Sequence, residues 1–90
     1  MIWKEVSYVL GSPASKKILI TLCQKSPLAP LQIAKETNMA RSNVSTKLVG
    51  LRKMDLVEVI NPEARKWRFY RISKKGKVVL KETEKIAASW

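Results

Sequence analysis

The 90 residues suffice for one small domain, and 18 Lys and Arg against 7 Asp and Glu give a formal net charge of +11, which favours anionic partners. With one cysteine and no histidine, the chain lacks an internal disulfide and the usual metal ligands and general bases, so we expect no metal, no cofactor and no enzymatic activity. No apolar run reaches membrane-spanning length and the N-terminus does not resemble a secretory signal, which predicts a soluble protein of the reducing cytoplasm without a membrane partner.

The first third of the chain predicts two helices that each have one apolar face. The first spans residues 2–10 and ends at Gly11, because its apolar residues recur at spacings of three and four. Ser12 and Pro13 are typical of the N-cap and first position of a second helix. The buried stripe of this second helix is predicted at Ile18, Leu19, Leu22 and Cys23.

The residues from about 30 to 54 predict a helix-turn-helix. Pro30 begins a short helix through Thr37, and Asn38 can supply the left-handed residue that ends it. A longer helix follows from about Ala40 to Met54. The short linker between the two helices has the length that sets them steeply across each other.

The longer of these helices has an apolar and a polar side. Val44, Leu48 and Leu51 recur at i, i+4 and i+7 and should face the core. Candidate contacts to bases or phosphates are Arg41, Ser42, Asn43, Ser45, Thr46 and Lys47. Asn43 is the leading candidate for base readout, because asparagine can form a bidentate contact with adenine. The alternative is that these side chains only satisfy the free amides of the helix.

Gly50 lies in the middle of the same helix, where glycine costs about 1 kcal/mol relative to alanine. The close approach of another backbone would explain its presence there. We expect the hairpin that follows, or another element of the protein, rather than DNA.

The residues from about 56 to 72 predict a cationic two-stranded hairpin, with strands at 57–60 and 67–72 and a polar turn between them. From Arg65 to Lys77 there are seven Lys and Arg and no acidic residue. Phosphate contact is the predicted use of these cations, through Arg65, Lys66 and Arg68, and the first two are best placed at the tip. The alternative is a solvated hairpin edge that its charge protects from aggregation.

Trp67 and Phe69 alternate with these cations. Such aromatic side chains could stack on the unpaired bases of single-stranded nucleic acid. Because the chain has only six aromatic residues, we instead expect both to pack in the core or against a second subunit.

A last helix, capped by Ser73, extends to about residue 89. The two terminal helices carry more apolar side chains than one small core obviously needs. Candidates for a dimer interface are Trp3, Val79, Ile86 and Trp90. Packing of the two ends on each other within a monomer is an equal alternative.

The order helix, helix, helix-turn-helix, hairpin, helix resembles the winged-helix transcription regulators of the MarR and ArsR type. The resemblance covers about residues 12–80 and is carried by the segments SPASKKIL, LQIA, NVSTKL, DLVE and RISKKG. It implies a winged-helix fold and DNA binding. Each segment alone is a weak signal, and their common order is the stronger one.

The chain also departs from these families. Ala40 stands where they usually have a Ser or Thr cap, and Ala64 and Lys66 stand at the Asp and Arg of the usual MarR wing, so that Arg65 is the substitute there. Metal sensing of the ArsR kind is not supported without histidine. The chain is shorter than most MarR proteins, whose long terminal helices enclose a ligand pocket, so no dedicated small-molecule ligand is expected.

We therefore predict an α+β, mostly helical fold: one winged helix-turn-helix domain over residues 1–90, with a two-stranded β-hairpin wing and terminal helices. The predicted function is a homodimeric, nucleoid-associated transcription regulator that binds double-stranded DNA at specific sequences. Its recognition helix would enter the major groove, and its wing would contact flanking backbone or minor groove. Two alternatives stay open: a sequence-nonspecific architectural DNA-binding protein, and a winged-helix module that binds protein or structured RNA.

Overall fold

Five helices and one antiparallel hairpin make up residues 2–88, the part of the chain that the computed structural model describes. In chain order they are α1 (Trp3–Leu10), α2 (Pro13–Gln24), α3 (Pro30–Thr37), α4 (Arg41–Lys53), β1 (Val57–Val59), β2 (Tyr70–Ile72) and α5 (Lys74–Ala88). The predicted mostly helical α+β class is confirmed. None of the helices in this part of the chain is long and apolar enough to span a membrane.

Local sequence signals determine where α2 begins and where α3 ends. Ser12 Oγ accepts a hydrogen bond of 3.3 Å from the Ser15 N–H, and Pro13 takes the first position of α2. Asn38 has a φ of 56° and a ψ of 38°, which confirms the left-handed residue predicted at the end of α3. Because α4 already begins at Arg41, the chain turns sharply between the two helices.

The core is centred on α2, which contacts every other helix and β2. Ile18, Leu19 and Leu22 of this helix are 0% exposed. The other large, fully buried apolar side chains are Val6, Val9, Ile33, Val44, Leu48, Leu51, Leu56 and Val79. The prediction that Cys23 belongs to the buried stripe is wrong, since this thiol is exposed. It follows Leu22 by one residue, about 100° of helix rotation, which turns it away from the core.

The terminal helices α1 and α5 pack against each other within one chain. Lys75 Nζ lies 2.6 Å from Glu5 Oε2 and links the two helices. The hydrogen bond from Lys75 holds the pKa of the Glu5 carboxyl below its ordinary value. The second oxygen, Oε1, is buried without a hydrogen-bond partner among residues 2–88. Loss of Lys75 would therefore leave a carboxylate that water reaches poorly and that has lost its hydrogen-bonded cation.

Two glycines allow close approaches between elements. A Cβ on Gly76 would overlap the Leu56 carbonyl oxygen, so α5 can begin close to the hairpin only because this residue is glycine. A Cβ on Gly50 would lie 2.7 Å from the hydroxyl oxygen of Tyr8. The neighbour of Gly50 is thus another element of the protein, in agreement with the prediction, but the close group is a side chain of α1 and not a backbone.

The hairpin is tied to the rest of the fold through β2. β1 pairs antiparallel with β2, and Val57 lies opposite Ile72 and Val59 opposite Tyr70. On its other edge, Tyr70 exchanges two backbone hydrogen bonds of 2.8 and 3.0 Å with Leu28. The loop between α2 and α3 therefore fixes the hairpin beside the helix-turn-helix.

The second strand is shorter than the predicted one, which began at Trp67. Trp67 has a φ of 56° and so leaves the extended conformation. The Asn61 side chain replaces the missing strand pairing: its Nδ2 donates to the Trp67 carbonyl at 3.0 Å, and its Oδ1 accepts from the Phe69 N–H at 2.8 Å. Regular pairing with β1 starts only beyond this point, so the strand begins at Tyr70.

Candidate nucleic-acid interface

The first turns of α4 are surrounded by solvent on every side except that of Val44. Val44, Leu48 and Leu51 are at most 1% exposed and anchor the apolar side of the helix in the core, as predicted. The predicted contact residues are exposed or, for the last of them, half-buried: Arg41, Ser42, Asn43, Ser45, Thr46 and Lys47. The fold thus places this polar set on the surface.

These polar side chains do not cap the helix. The N-cap is Ala40, and no side chain bonds to the amides of the first turn. Thr46 Oγ1 donates to the Ser42 carbonyl at 3.0 Å, a bond internal to the helix. Within residues 2–88, the side chains of Ser42, Asn43 and Ser45 form no hydrogen bond. The capping alternative therefore finds no support, and both these side chains and the first-turn amides can bind a partner.

The wing loop between β1 and β2 carries two exposed cations and one tethered cation. Arg65 and Lys66 are exposed at its tip. Arg68 is half-buried, and its Nε donates to the Ala64 carbonyl at 2.7 Å. This bond stiffens the loop and leaves the terminal nitrogens of the guanidinium available to a further acceptor.

A cleft of about 380 Å³ separates the wing loop from the starts of α3 and α4. Its lining comprises Ala29, Pro30, Leu31, Arg41, Arg65, Lys66, Trp67, Arg68 and Tyr70. Four of these nine residues are cations and none is acidic, so the cleft is a positively charged concavity. The fold thereby brings Arg41 of α4 together with the cations of the wing.

A second, more open groove runs between the later turns of α4 and the hairpin. It is lined by Leu48, Val49, Arg52, Lys53, Arg68 and Tyr70. Arg52 was not among the predicted contact residues. The signal for it was helical spacing, because it follows Arg41 by eleven residues, about three turns, on the same face.

The cations of this surface are not neutralised by acidic neighbours. Among the residues that the structure describes, the ion pairs are Lys25–Glu36, Arg71–Glu58, Lys75–Glu5 and Lys85–Glu82. None of them includes Arg41, Arg65 or Lys66. A phosphate that binds these side chains therefore breaks no existing ion pair, and the cleft keeps its full charge.

Trp67, which lines the first cleft, is 59% exposed and has a left-handed backbone. A bulky residue in that region costs about 1–3 kcal/mol and persists only where its surroundings determine it. Here the two hydrogen bonds to Asn61 do so. Trp67 therefore does not pack in the core of its own chain, and contact with a second subunit, the other part of the prediction, stays a prediction. Phe69 is half-buried.

The residues predicted for a dimer interface lie in different environments. Val79 is 0% exposed within one chain and offers no surface to a partner, so that prediction is wrong for this residue. Ile86 is half-buried and packs against the same core. Trp3 is 58% exposed on α1. Trp90 lies outside the described residues.

The sequence of residues 12–59, more than half of the chain, matches the family described as bacterial regulatory protein, arsR family. The matched segment contains α2, α3, α4 and β1, so it includes the whole helix-turn-helix and the first strand of the wing. No curated protein matches the chain.

Several solved structures share the fold. The transcriptional repressor CouR bound to a 23-mer DNA duplex matches with a TM-score of 0.77 and 20% identity over 97% of this chain and 65% of that one. The PcaV regulator from Streptomyces coelicolor with its natural ligand gives 0.78 and 15%, over 87% and 56%. Wild-type apo MarR from E. coli gives 0.72 and 16%, over 80% and 54%. The chain thus spans 54 to 65% of the length of these winged-helix proteins.

Proposed function

Because this chain belongs to the arsR family of bacterial regulatory proteins, which are transcription regulators and not enzymes, we propose that it acts by binding specific sequences of double-stranded DNA. The single observation that carries the proposal is the cleft that Arg41 of α4 lines together with the wing cations, with no acidic residue in the lining. Such a concavity suits a phosphate backbone, and it lies beside an exposed helix whose side chains can reach base edges.

In this proposal α4 is the recognition helix and enters the major groove. Ser42, Asn43 and Ser45 form no hydrogen bond within residues 2–88, so they need not break one to contact DNA. Asn43 would read adenine through its amide, which matches the N6 and N7 positions. Thr46 is less free, because its hydroxyl already donates to a carbonyl of its own helix.

The wing would contact the backbone that flanks the major-groove site. Arg65 and Lys66 are exposed at the tip and have no acidic partner among the described residues. Arg68 would contribute through its terminal nitrogens while its Nε holds the loop. CouR, whose fold is similar, was solved bound to a 23-mer DNA duplex, and this supports a duplex as the partner of this fold.

We further propose that the regulator is a homodimer that uses its terminal helices. Trp3 and Val78 are 58% and 51% exposed, which is a large apolar surface for two helices of one small chain. A two-fold dimer predicts a near-palindromic site whose half-sites are about one helical turn apart. Sedimentation at micromolar concentration with and without DNA tests this part directly.

The competing proposal is a sequence-nonspecific architectural protein, which the net charge of +11 favours. Selection of bound duplexes from a random pool, at moderate and high salt, separates the two. An enriched palindrome that survives at high salt supports the specific regulator. Binding that enriches nothing and is lost steeply as salt rises supports the architectural protein. Absence of duplex binding at any salt would refute both and favour a protein- or RNA-binding module.

A further inference from the structure

We propose that Trp67 is an aromatic wedge that stacks against a base step of the duplex from the minor groove. The inference rests on the proposed function, because it requires a DNA duplex under the wing. It adds a second source of specificity, which depends on how easily a base step opens and not on hydrogen bonds to base edges.

The side chain of Trp67 is largely open to solvent. Trp67 is 59% exposed, the highest value among the large apolar side chains of residues 2–88 that face solvent. A tryptophan can bury roughly 150–250 Å² of surface in a contact, so its exposure in the unbound chain leaves a large apolar area for a partner to cover. Within residues 2–88, nothing covers this exposed part of the ring.

The ring of Trp67 lies close to several cations. Trp67 lines one cleft with Arg41, Arg65 and Lys66. A partner that satisfies both the ring and these cations must combine negative charge with flat apolar faces, and nucleic acid does so through its phosphates and bases. Proteins that bind single strands usually provide a platform of several aromatic side chains, but here Phe69 and Tyr70 are half-buried. One protruding ring suits a wedge in a duplex better than a platform.

The loop that carries Trp67 is held by hydrogen bonds between its own residues. The side chain of Asn61 hydrogen-bonds to the Trp67 carbonyl and to the Phe69 N–H. Its backbone carbonyl accepts a hydrogen bond from the Ala64 N–H at 3.0 Å. Arg68 closes the loop by donating to the Ala64 carbonyl. Opening a base step costs free energy, so a wedge is effective only if its own ordering has been completed before binding. Asn61 is thus a positioning residue for Trp67.

A wedge predicts a preference for flexible steps. The pyrimidine–purine steps TA and CA unstack most easily, so a duplex with such a step under the wing should bind more tightly and bend more than one without it. Because this step preference would arise from the wing, it should persist when the base contacts of α4 are removed.

The experiment compares the wild-type chain with Trp67→Ala and Trp67→Gly on two versions of a selected duplex, one with a TA step at the wing position and one without. Affinity is measured by titration, bending by energy transfer between end labels, and unstacking by 2-aminopurine placed at the step. We expect both variants to lose roughly 5- to 100-fold in affinity for the TA duplex and to abolish the difference between the two duplexes. The glycine variant also relieves the left-handed strain, so its midpoint of thermal unfolding should not fall.

Two matched controls sharpen the test. Lys66→Ala should weaken both duplexes by the same factor and leave the bend unchanged, because it removes only a phosphate contact. Ile60→Ala removes another exposed apolar side chain of the hairpin region, 43% exposed, which lines neither groove, and it should leave affinity, bending and step preference unchanged. DNA should quench the tryptophan emission of the wild type and of Ile60→Ala, and the quenching should be lost in Trp67→Phe.

Unchanged affinity, bending and step preference in Trp67→Gly would overturn the wedge while leaving the proposed function intact. So would a loss that is equal on both duplexes, or one that is larger on the single strand than on the duplex. Failure of the wild-type protein to bind any duplex would refute the proposed function, and the wedge with it.

Discussion

The two grooves beside α4 differ from the terminal helices in the ion pairs that their cations form. On the side of α4 and the wing, no acidic residue lines either groove, and cations such as Arg41 and Lys66 have no ion-pair partner within residues 2–88. On the side of the terminal helices, Lys75 is paired with Glu5 and Lys85 with Glu82. The cations that line the grooves are thus available to an anionic partner, because no acidic residue of residues 2–88 pairs with them, whereas Lys75 and Lys85 are already paired.

The largest expected effect comes from a core residue on the helix that contacts both α4 and the terminal helices. Leu22→Ala removes a side chain that is 0% exposed on α2, the helix that contacts α1 and α5 as well as α3 and α4. We expect a loss of about 2–5 kcal/mol in the free energy of unfolding, because of lost burial and the cavity. Urea unfolding followed by circular dichroism and tryptophan fluorescence measures it. Two separate transitions would show that the two sides fold independently.

Asn43→Ala tests the reading role of α4. We expect a loss of about 1–3 kcal/mol of discrimination at one base position, with little change in nonspecific binding. Titration against a set of single-base variants of a selected duplex measures it. Ser7→Ala, an exposed polar residue of α1, is the control and should leave the base preference unchanged. An equal loss on all base variants would contradict a role in readout.

Arg41→Ala and Arg71→Ala compare an unpaired with a paired arginine. Arg71 lies 3.4 Å from Glu58 and lines neither groove, whereas Arg41 lines the first cleft. We expect the first substitution to lower the slope of log affinity against log salt by about one, and the second to leave it nearly unchanged. Titrations at several salt concentrations provide the slopes. Equal changes in both variants would remove the special role of the cleft.

The smallest effect concerns the terminal helices and should appear as a difference in stability that depends on pH. The Lys75 hydrogen bond lowers the pKa of Glu5 in the folded chain. The resulting stability is therefore present above the ordinary pKa of a glutamate and is lost as the pH falls through the lowered value. Lys75→Ala should be less stable than the wild type at neutral pH, and the gap should narrow in acid. Thermal unfolding from neutral to acidic pH measures it, with Lys85→Ala as the control; a gap that does not change with pH would contradict this role of the pair.

Local signals were sufficient to predict most of the secondary structure. Ser12 with Pro13 and the left-handed Asn38 were correct, because a cap or a turn residue acts on atoms only a few positions away. Val44 and its helical neighbours at i+4 and i+7 were correctly assigned to the core, because one helical period decides which side chains share a face. The same spacing placed the polar residues of α4 on the surface.

The errors arose where distant parts of the chain meet. Cys23 and Val79 had apolar character in helical positions, but their exposure depends on whether another element covers that face. The sequence predicted that Trp67 belongs to a strand, but its carbonyl accepts a hydrogen bond from the side chain of Asn61, six residues earlier, instead of from a strand partner. Gly50 signalled a close approach, and only the folded chain shows that Tyr8 makes it.

Composition and spacing therefore established the order of the elements, the polar face of α4 and the cationic wing, because each depends on residue types or on contacts within a few residues. The cleft itself depended on tertiary structure. Arg41 and Arg65 are 24 residues apart in the chain and line one concavity only because Leu28 pairs with Tyr70 and holds the hairpin beside α4. Whether a cation is neutralised is likewise a matter of distance in space, and sequence separation does not specify that distance.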